Sequence, residues 1–259
     1  MNVGTAKPSA TELRDIRHYF INALSIHEDY DVRKFERDAL QKIERLFENQ
    51  NPVILTGGSG LYIDAVTGGL DDMPQVSKHI RNELTVIHSE QGIGVLQEKL
   101  RELDPIYHSQ VDLHNPQRLI RALEVCIGTG KPFSSFRIRK NVNRPFEVIR
   151  IALERDREEL YARINLRMDQ MVAAGLFEEA SVLFPFRHLN ALQTVGYKEI
   201  FDYLQGFYDR EEAIRLLKRN TRRYAKRQMT WLKKDKSYAW FHPSELDKIT
   251  QFIKDQMSA

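Results

Sequence analysis

Two arginines are spaced four residues apart, which places both on one side of an α-helix. Arg163 and Arg167 then point together, while Ile164, Met168 and Met171 form a separate apolar stripe that packs into a core. Two guanidinium groups in register bind a diphosphate through charge-assisted hydrogen bonds. In the alternative interpretation, the arginines pair on the surface with nearby carboxylates, namely Glu159 and Glu178 or Glu179.

The segment from Asn115 to Glu124 combines side chains that suit RNA. Pro116 marks a helix start, and Gln117 and Arg121, four residues apart, share one face. Arginine binds phosphate with a forked pair of hydrogen bonds or stacks on a base, and glutamine reads a base edge. Taken by itself, this spacing favours the simpler interpretation of a solvated helix face with arginine–glutamate pairs.

The turn Gly57-Gly58-Ser59-Gly60 lets a backbone approach a ligand closely and exposes amides at a helix start, which suits an anion or a nucleotide. The alternative is a tight turn between strand and helix in which the glycines only relieve strain. No part of the sequence matches the phosphate-binding pattern G-x-x-x-x-G-K-S/T, so a complete nucleotide phosphate cradle is absent from these residues.

The stretch from Gln193 to Glu199 carries a glycine, an aromatic ring and a lysine in succession, at Gly196, Tyr197 and Lys198. These residue types let an RNA backbone approach, stack on a base and neutralise a phosphate. A helix N-terminus with a packed tyrosine explains the pattern equally well.

The strongest charge signal is the segment 215–236, in which ten lysines and arginines face the lone acid Asp235. Helical spacing places a basic stripe on one side and packing residues on another, the stripe being Arg215, Arg219, Arg222 and Lys226 and the packing residues Leu217, Tyr224 and Trp231. Such runs are usually solvated faces. Because like charges repel one another on a helix, a polyanion is the more economical interpretation, and it is RNA, diphosphate or both.

These residues must be positioned by alternating helices and strands. Apolar spacing predicts a helix over 38–47, a short strand over 53–56 that ends at the glycine turn, and a helix over 61–66. A strand, a glycine turn and a helix in succession belong to an α/β layer architecture, in which ligands sit at the carboxyl ends of parallel strands.

The pattern from 77 to 129 is helical, with interruptions at Asp104-Pro105 and Asn115-Pro116. A β-type run over 147–153 precedes a charged amphipathic helix that begins near Arg157, and the last third is helical throughout. The sequence therefore predicts an α/β core interrupted by an all-helical insertion.

Composition bounds the class of protein. With 259 residues, 42% hydrophobic content and a net charge of +3, the chain buries a sizeable core, and its overall charge does not decide for or against a polyanionic partner. The single cysteine, Cys126, makes no internal disulfide, and no Cys and His tetrad at metal-binding spacing exists. No apolar run reaches the roughly 18 residues of a membrane span. We expect a soluble, cytoplasmic protein.

In their order along the chain, five blocks resemble the tRNA dimethylallyltransferases, also called isopentenyl-tRNA transferases. The blocks are Gly4-Thr5-Ala6-Lys7-Pro8, Gly57-Gly58-Ser59 with Leu61-Tyr62, Asn115-Pro116-Gln117-Arg118 with Arg121-Ala122-Leu123-Glu124, Val195-Gly196-Tyr197, and Ala225-Lys226-Arg227-Gln228 with Thr230-Trp231. The resemblance extends from the first residues nearly to the end.

The resemblance implies an α/β fold with a P-loop-kinase-like parallel sheet, an all-helical insertion and a helical C-terminal region. It divides the chain into a first core part at 1–74, a tRNA-binding insertion at 75–143, and the second core part with C-terminal helices at 144–259. The implied reaction transfers a prenyl group from dimethylallyl diphosphate to the exocyclic amine of a flipped-out adenosine next to the anticodon, with Mg²⁺ on the departing diphosphate. The implied partner is the anticodon stem-loop of tRNA, and the protein is expected to be a monomer.

The resemblance also assigns residues to the two substrates. Contacts with tRNA fall on Ser59, Arg81, Gln117, Arg118, Leu119, Ile120, Arg121, Gln193, Thr194, Val195, Gly196, Tyr197, Lys198, Lys226 and Arg227. The diphosphate side falls on Arg163, Arg167 and Arg223, and the choice between the first two stays open.

The sequence departs from this family in lacking the phosphate-binding loop and the Asp-Ser segment that carries the general base. In the family both precede Gly-Thr-Ala-Lys-Pro. General-base catalysis supplies about 10²–10⁴-fold in rate, so we expect residues 1–259 by themselves to be inactive. The alternatives are a tRNA-binding remnant without catalysis and a phosphotransferase of the nucleoside-monophosphate-kinase type.

Overall fold

The computed structural model describes residues 1–5, 7–138 and 142–258, so Ala6 of the first sequence block lies outside the described residues. The described chain divides into two compact units. The first unit comprises Met1–Asp31, Ile54–Gly60 and Glu147–Ala259, and the second comprises Val32–Val53 and Leu61–Phe146. The division at 1–74, 75–143 and 144–259 is one of function, and it stays a prediction.

The described helices are mostly short, and they alternate with loops throughout the chain. The α-helices are α1 (Ala10–Asp15), α2 (Val32–Phe47), α3 (Gly60–Gly68), α4 (Lys78–Gln91), α5 (Ile93–Leu103), α6 (Pro105–His108), α7 (Pro116–Thr129), α8 (Arg157–Ala173), α9 (Leu176–Leu183), α10 (Lys198–Leu204), α11 (Arg210–Leu232) and α12 (Leu246–Ser258). Short 3-10 turns occupy Phe133–Phe136, Phe184–Phe186 and Asn190–Leu192. None of the helices in the described ranges has the length and apolar character to cross a membrane.

The second unit is built around α4, α5 and α7, as the helical pattern of 77–129 predicts. Both predicted interruptions are helix starts. The Asp104 carboxylate accepts a 2.9 Å hydrogen bond from the amide of Tyr107 and caps α6, and the Asn115 side chain caps α7 through the Arg118 amide at 3.2 Å. Proline follows each cap at the first helical position, where its missing N–H costs nothing. The core beneath consists mainly of Leu84, Leu96, Leu100, Leu119, Ile120, Leu123 and Phe133.

The predicted strand over 53–56 is wrong. In the structure these residues form no strand, and no backbone hydrogen bond joins residues 53–57 to the backbone of any described residue. Ile54 is 82% exposed. A β-branched run becomes a strand only where a neighbour supplies ladder hydrogen bonds and a packed face, and residue types alone do not report that neighbour.

The sheet of the described chain has two parallel strands, β1 (Ile151–Leu153) and β2 (Ala239–Phe241), in the first unit. Ile151 lies opposite Ala239 and Leu153 opposite Phe241. β1 is the end of the predicted run at 147–153, whereas β2 lies in the last third, which we predicted to be wholly helical. That prediction missed a strand of only three residues, which is too short to show an alternating pattern.

The helices α8 to α11 supply the core of the first unit. Helix α8 begins at Arg157 as predicted. The core side chains are Met168, Leu176, Phe177, Ala180, Leu192, Tyr197, Ile200, Phe201, Ala213 and Leu217. Of the packing residues predicted on α11, Leu217 is buried and Trp231 is partly buried, but Tyr224 is exposed.

Candidate functional site

The glycine turn at 57–60 packs directly on α11 within the first unit. The Gln228 side-chain amide donates a 2.9 Å hydrogen bond to the carbonyl of Gly58. A Cβ placed on Gly58 would lie 2.0 Å from Gln228 Nε2, and one on Gly60 would lie 2.2 Å from the Trp231 ring. The close approach to the Trp231 ring favours glycine at position 60, whereas at position 58 the end of the flexible Gln228 side chain could move aside. Ser59 lies exposed between these two contacts.

The first block is fixed by a carboxylate on α9. The Glu179 side chain accepts hydrogen bonds from the amides of Asn2, Val3 and Gly4, at 2.5, 3.1 and 3.0 Å. It also accepts the Tyr197 hydroxyl at 2.7 Å. Since a Cβ on Gly4 would lie 2.6 Å from the Tyr197 ring, the glycine is what lets the backbone pass over the tyrosine.

This network shifts the acidities of both side chains. Burial alone would raise the pKa of Glu179, but the hydrogen bonds from Gly4, Tyr197, Asn2 and Val3 together hold it below its usual value. Burial, with the nearby Glu179 carboxylate, raises the pKa of Tyr197. The pair is thus an anionic carboxylate and a neutral phenol over the whole physiological range.

The stretch from Gln193 to Lys198 divides into exposed and buried residues. Gln193, Thr194 and Lys198 are exposed and Val195 is partly buried, but Gly196 and Tyr197 are buried. With its side chain fully buried, Tyr197 offers no face on which a base could stack, so the packed-tyrosine interpretation is the one the structure supports.

A second buried carboxylate holds the turn before α10. Glu199 accepts the amide of Gly196 at 2.9 Å and the Asn220 side chain of α11 at 2.7 Å. Gly196 has φ of +109°, a conformation that L-residues avoid. The turn therefore has both its conformation and its orientation fixed, which sets where Lys198 projects.

Helices α8 and α11 are joined by polar contacts along one side of α8. The Lys218 ammonium lies 2.6 Å from the Asp169 carboxylate, and Arg222 donates a 2.6 Å hydrogen bond to Asn165. Arg163 and Arg167 are each two residues from Asn165, which places them about 160° around the helix from it. Both are exposed.

Neither Arg163 nor Arg167 forms a hydrogen bond or an ion pair with any described residue, so the surface pairing that spacing left open does not occur. Glu159 is instead bonded to Arg155 and lies 3.3 Å from His242, and Glu179 is occupied by the first block. Two guanidinium groups without protein partners remain available to an anion.

The basic stripe predicted on α11 is partly used within the protein. Arg215 pairs with Glu212 at 2.6 Å, Arg219 bonds to Asn220 at 3.2 Å, and Arg222 is bonded to α8. The exposed cations that remain are Arg223 and Lys226, with Arg227 stacked over the Tyr224 ring at 5.5 Å. The free positive charge is therefore concentrated in the second half of the helix.

The predicted RNA-contact helix α7 carries a polar cluster with Arg81 of α4, all of it in the second unit. Arg81 donates to Glu124 at 3.1 Å and to the Gln117 side chain at 2.8 Å, and Arg121 donates to the other Glu124 oxygen at 2.5 Å. The Glu124 side chain is only 4% exposed, so the solvated-face interpretation does not hold for this carboxylate.

The neighbours of this cluster on α7 differ in access. Arg118 is exposed, and its side chain has no hydrogen-bond partner among the described residues. Leu119 and Ile120 are buried in the core of the second unit, so their side chains present no surface to RNA. The assignment of these two positions to tRNA contact stays a prediction.

The carboxylates of this chain do not form a metal centre in the described ranges. No three His, Cys, Asp or Glu side chains of residues 1–5, 7–138 and 142–258 are grouped so as to hold a metal ion.

The structure brings together sequence blocks that are far apart in the chain. The first block meets Tyr197, and the glycine turn meets Gln228 and Trp231. Sequence reasoning named Glu179 only as a possible partner of the α8 arginines, and Glu199 and Glu124 only as members of their segments. It therefore missed that Glu179 organises the contact of the first block with Tyr197. No local signal marks Glu179, because its partners lie about 175 residues away in sequence.

Comparison with known proteins places this arrangement in context. Residues 1–235 match the protein family described as IPP transferase. The tRNA dimethylallyltransferase of Cytophaga hutchinsonii is 48% identical over 257 residues, 99% of this chain and 84% of that protein. That of Christiangramia forsetii is 49% identical over 259 residues, 100% of this chain and 86% of that protein. The crystal structure of the full-length tRNA isopentenylpyrophosphate transferase of Bacillus halodurans has a TM-score of 0.70 and 35% identity, and the match covers 100% of this chain and 84% of that one.

Proposed function

Because this chain belongs to the IPP transferase family, we propose that it transfers a dimethylallyl group from dimethylallyl diphosphate to the exocyclic amine of the adenosine next to the anticodon of tRNA. By family it is a tRNA dimethylallyltransferase, and tRNA modification is its general activity. The prenyl donor, the target base and the residue roles are the proposal.

The observation that carries the proposal is the contact between distant blocks. The Gly58 carbonyl accepts from Gln228 and Gly60 lies under Trp231, so Ser59 is held exposed at a fixed place on α11. The free cations Arg223, Lys226 and Arg227 lie on the same helix, and this combination supports a surface where a nucleotide is bound next to a polyanion.

In the proposed reaction, the adenosine amine attacks the first carbon of the prenyl group. The bond from that carbon to the diphosphate oxygen breaks, the diphosphate leaves with the electron pair, and the amine passes a proton to the general base that the family carries on its Asp-Ser segment. We assign Arg163, Arg167 and Arg223 to the leaving diphosphate, because guanidinium groups stabilise charge that develops as the bond breaks. Mg²⁺ enters the proposal only as an ion carried by the diphosphate.

On the tRNA side, the exposed and half-exposed residues of the two units are assigned separately. In the second unit these are Arg81, Gln117, Arg118 and Arg121. In the first unit they are Ser59, Gln193, Thr194, Lys198, Lys226 and Arg227. Val195, Gly196 and Tyr197 then act through the backbone shape of their turn.

The proposal is tested by incubating the protein with unmodified tRNA and dimethylallyl diphosphate and measuring diphosphate release. Release that requires tRNA, and that stops when the adenosine next to the anticodon is replaced by another base, is expected. The assay is run on residues 1–259 alone and on the same residues preceded by the phosphate-binding segment of a relative, which also tests the expected inactivity. Phosphate transfer from ATP without prenyl transfer would instead support the kinase-type alternative.

Substrate binding is tested separately from turnover. Arg118→Ala removes an exposed guanidinium without a protein partner, so it should weaken tRNA binding and reduce the salt slope by about one while leaving stability unchanged. His114→Ala, an exposed residue of the preceding loop, is the control. Unchanged binding by Arg118→Ala would place the RNA elsewhere.

A further inference from the structure

The cluster around Glu124 has a chemical feature that surface ion pairs lack. Its carboxylate is 4% exposed, while the two arginines that it binds, Arg81 and Arg121, are 43% and 41% exposed. One buried acid therefore holds two half-exposed guanidinium groups, one from α4 and one from α7.

The hydrogen bonds define where each guanidinium lies. Arg81 donates through Nη1 to Oε2 of Glu124 and through Nη2 to Gln117, while Arg121 donates through Nη1 to Oε1 of Glu124. Each carboxylate oxygen thus serves one arginine. The remaining N–H groups of both arginines, and the side-chain NH₂ group of Gln117, bond to no residue in the described ranges and are open to another partner.

A buried carboxylate is not the obvious choice for stability at this position. Placing a charge in a core carries a desolvation cost, and well-packed apolar residues of similar size are often as stabilising as a buried ion pair. A second feature is that the acid lowers the positive charge of a surface with Arg118 beside it. Both features are explained if the orientation of the arginines matters more for binding than the net positive charge of the surface.

We propose that Glu124 is a positioning residue for tRNA, which fixes Arg81 and Arg121 in the orientation that binds the RNA. This inference rests on the proposed function. Long flexible side chains lose freedom when they bind, and side chains already held in place lose less, so the cluster binds RNA at a smaller entropic cost. Glu124 itself does not touch the substrate.

Positioning and simple electrostatics predict opposite changes in tRNA affinity when Glu124 loses its charge. Glu124→Gln removes a negative charge from a basic surface, so if charge alone mattered the variant would bind tRNA more tightly and with a steeper salt dependence. Loss of positioning for two arginines instead predicts binding about tenfold weaker. Glu124→Asp, which keeps the charge, should recover part of the loss.

The experiment measures the Kd of the full chain for unmodified tRNA at several salt concentrations. Glu124→Met replaces the acid with an apolar side chain of similar size and covers the case in which Glu124→Gln folds poorly. The matched control is Asp104→Asn, a buried carboxylate of the same unit whose hydrogen-bond donors among the described residues are Tyr107 and Ser134. This control should alter the melting temperature without altering tRNA binding.

A mutant cycle that combines Glu124→Met with Arg81→Ala and Arg121→Ala completes the test. If Glu124 acts through these arginines, adding Glu124→Met to the double arginine variant should leave the Kd unchanged. Tight binding by the wild type with unchanged or tighter binding by both Glu124→Gln and Glu124→Met would overturn the inference and leave the proposed function intact. Absence of tRNA binding by the wild type would overturn the proposed function itself.

Discussion

The hydroxyl of Tyr197 donates a 2.7 Å hydrogen bond to the carboxylate of Glu179, which in turn accepts three backbone amides from Asn2, Val3 and Gly4. One side chain of α9 thereby joins two blocks that lie at opposite ends of the sequence. The tyrosine is fully buried, and the carboxylate is partly buried.

Tyr197→Phe removes this bond while keeping the ring under Gly4. Because the charged acceptor loses a donor in a partly buried site, the free energy of unfolding should fall by about 1–3 kcal/mol. Chemical denaturation measures the change. Tyr203→Phe in α10, the helix that follows Tyr197, is the control, since the Tyr203 hydroxyl bonds to no described residue. It should change the free energy of unfolding by less than about 0.5 kcal/mol. Equal effects of the two substitutions would contradict the role given to Tyr197.

The Glu179 carboxylate makes a pH-dependent contribution to stability. Its pKa is lowered in the folded protein, so the folded state binds this proton less tightly than the unfolded chain does. The stabilisation is fully present above the unfolded pKa and is lost as pH falls through the folded value, from about pH 5 downward. The difference in unfolding free energy between wild type and Glu179→Gln should therefore shrink on acidification. If this difference in unfolding free energy grew as pH fell, the lowered pKa of Glu179 in the folded protein would be contradicted.

Gly60→Ala should disturb the contact of the glycine turn with α11. The added methyl would lie 2.2 Å from the Trp231 ring, so the ring or the backbone must move, at a cost of about 1–3 kcal/mol. Gly57→Ala is the matched control, because a Cβ there meets nothing within 4 Å. Thermal denaturation should show a lower melting temperature for Gly60→Ala and an unchanged one for Gly57→Ala. An unchanged melting temperature of Gly60→Ala would mean that Trp231 does not hold the turn.

Arg163→Ala and Arg167→Ala test the diphosphate assignment. Both side chains are exposed and unbonded to described residues, so neither substitution should change the unfolding free energy by more than about 0.5 kcal/mol. The arginine that faces the diphosphate should, when removed, weaken binding of inorganic diphosphate by about tenfold, as measured by calorimetry. Gln170→Ala, exposed on the same helix, is the control. Unchanged binding by both variants would move the diphosphate site off α8.

The elements that sequence predicted well are those with local signals. Asp104-Pro105 and Asn115-Pro116 specify caps and first helical positions in the residues themselves, and both helices begin there. Val53 to Thr56 lacked such a signal, because β-branched residues form a strand only beside a partner. β2 was missed for the complementary reason, since three residues become a strand through their pairing with β1.

The candidate site follows the same division. Gln117 and Arg121 share a face of α7 as their spacing predicts, but the burial of Glu124 and its bond to Arg81 of α4 depend on tertiary packing. The pairing of Arg163 and Arg167 with carboxylates looked reasonable from spacing. It fails because Glu159 is engaged by Arg155 and His242, and Glu179 is engaged by the first block. Arg155 is a local partner, four residues from Glu159, whereas the contacts with His242 and the first block depend on tertiary packing.

The central claim, prenyl transfer to tRNA, is tested most directly by analysing the nucleosides of the product. Unmodified tRNA is incubated with dimethylallyl diphosphate and the chain joined to a relative's phosphate-binding segment, then digested to nucleosides and examined by mass spectrometry. The account predicts a dimethylallyl group on the exocyclic amine of one adenosine, located by fragment mapping next to the anticodon. Unmodified adenosine in tRNA that the protein demonstrably binds, or a prenyl group on another base, would contradict it.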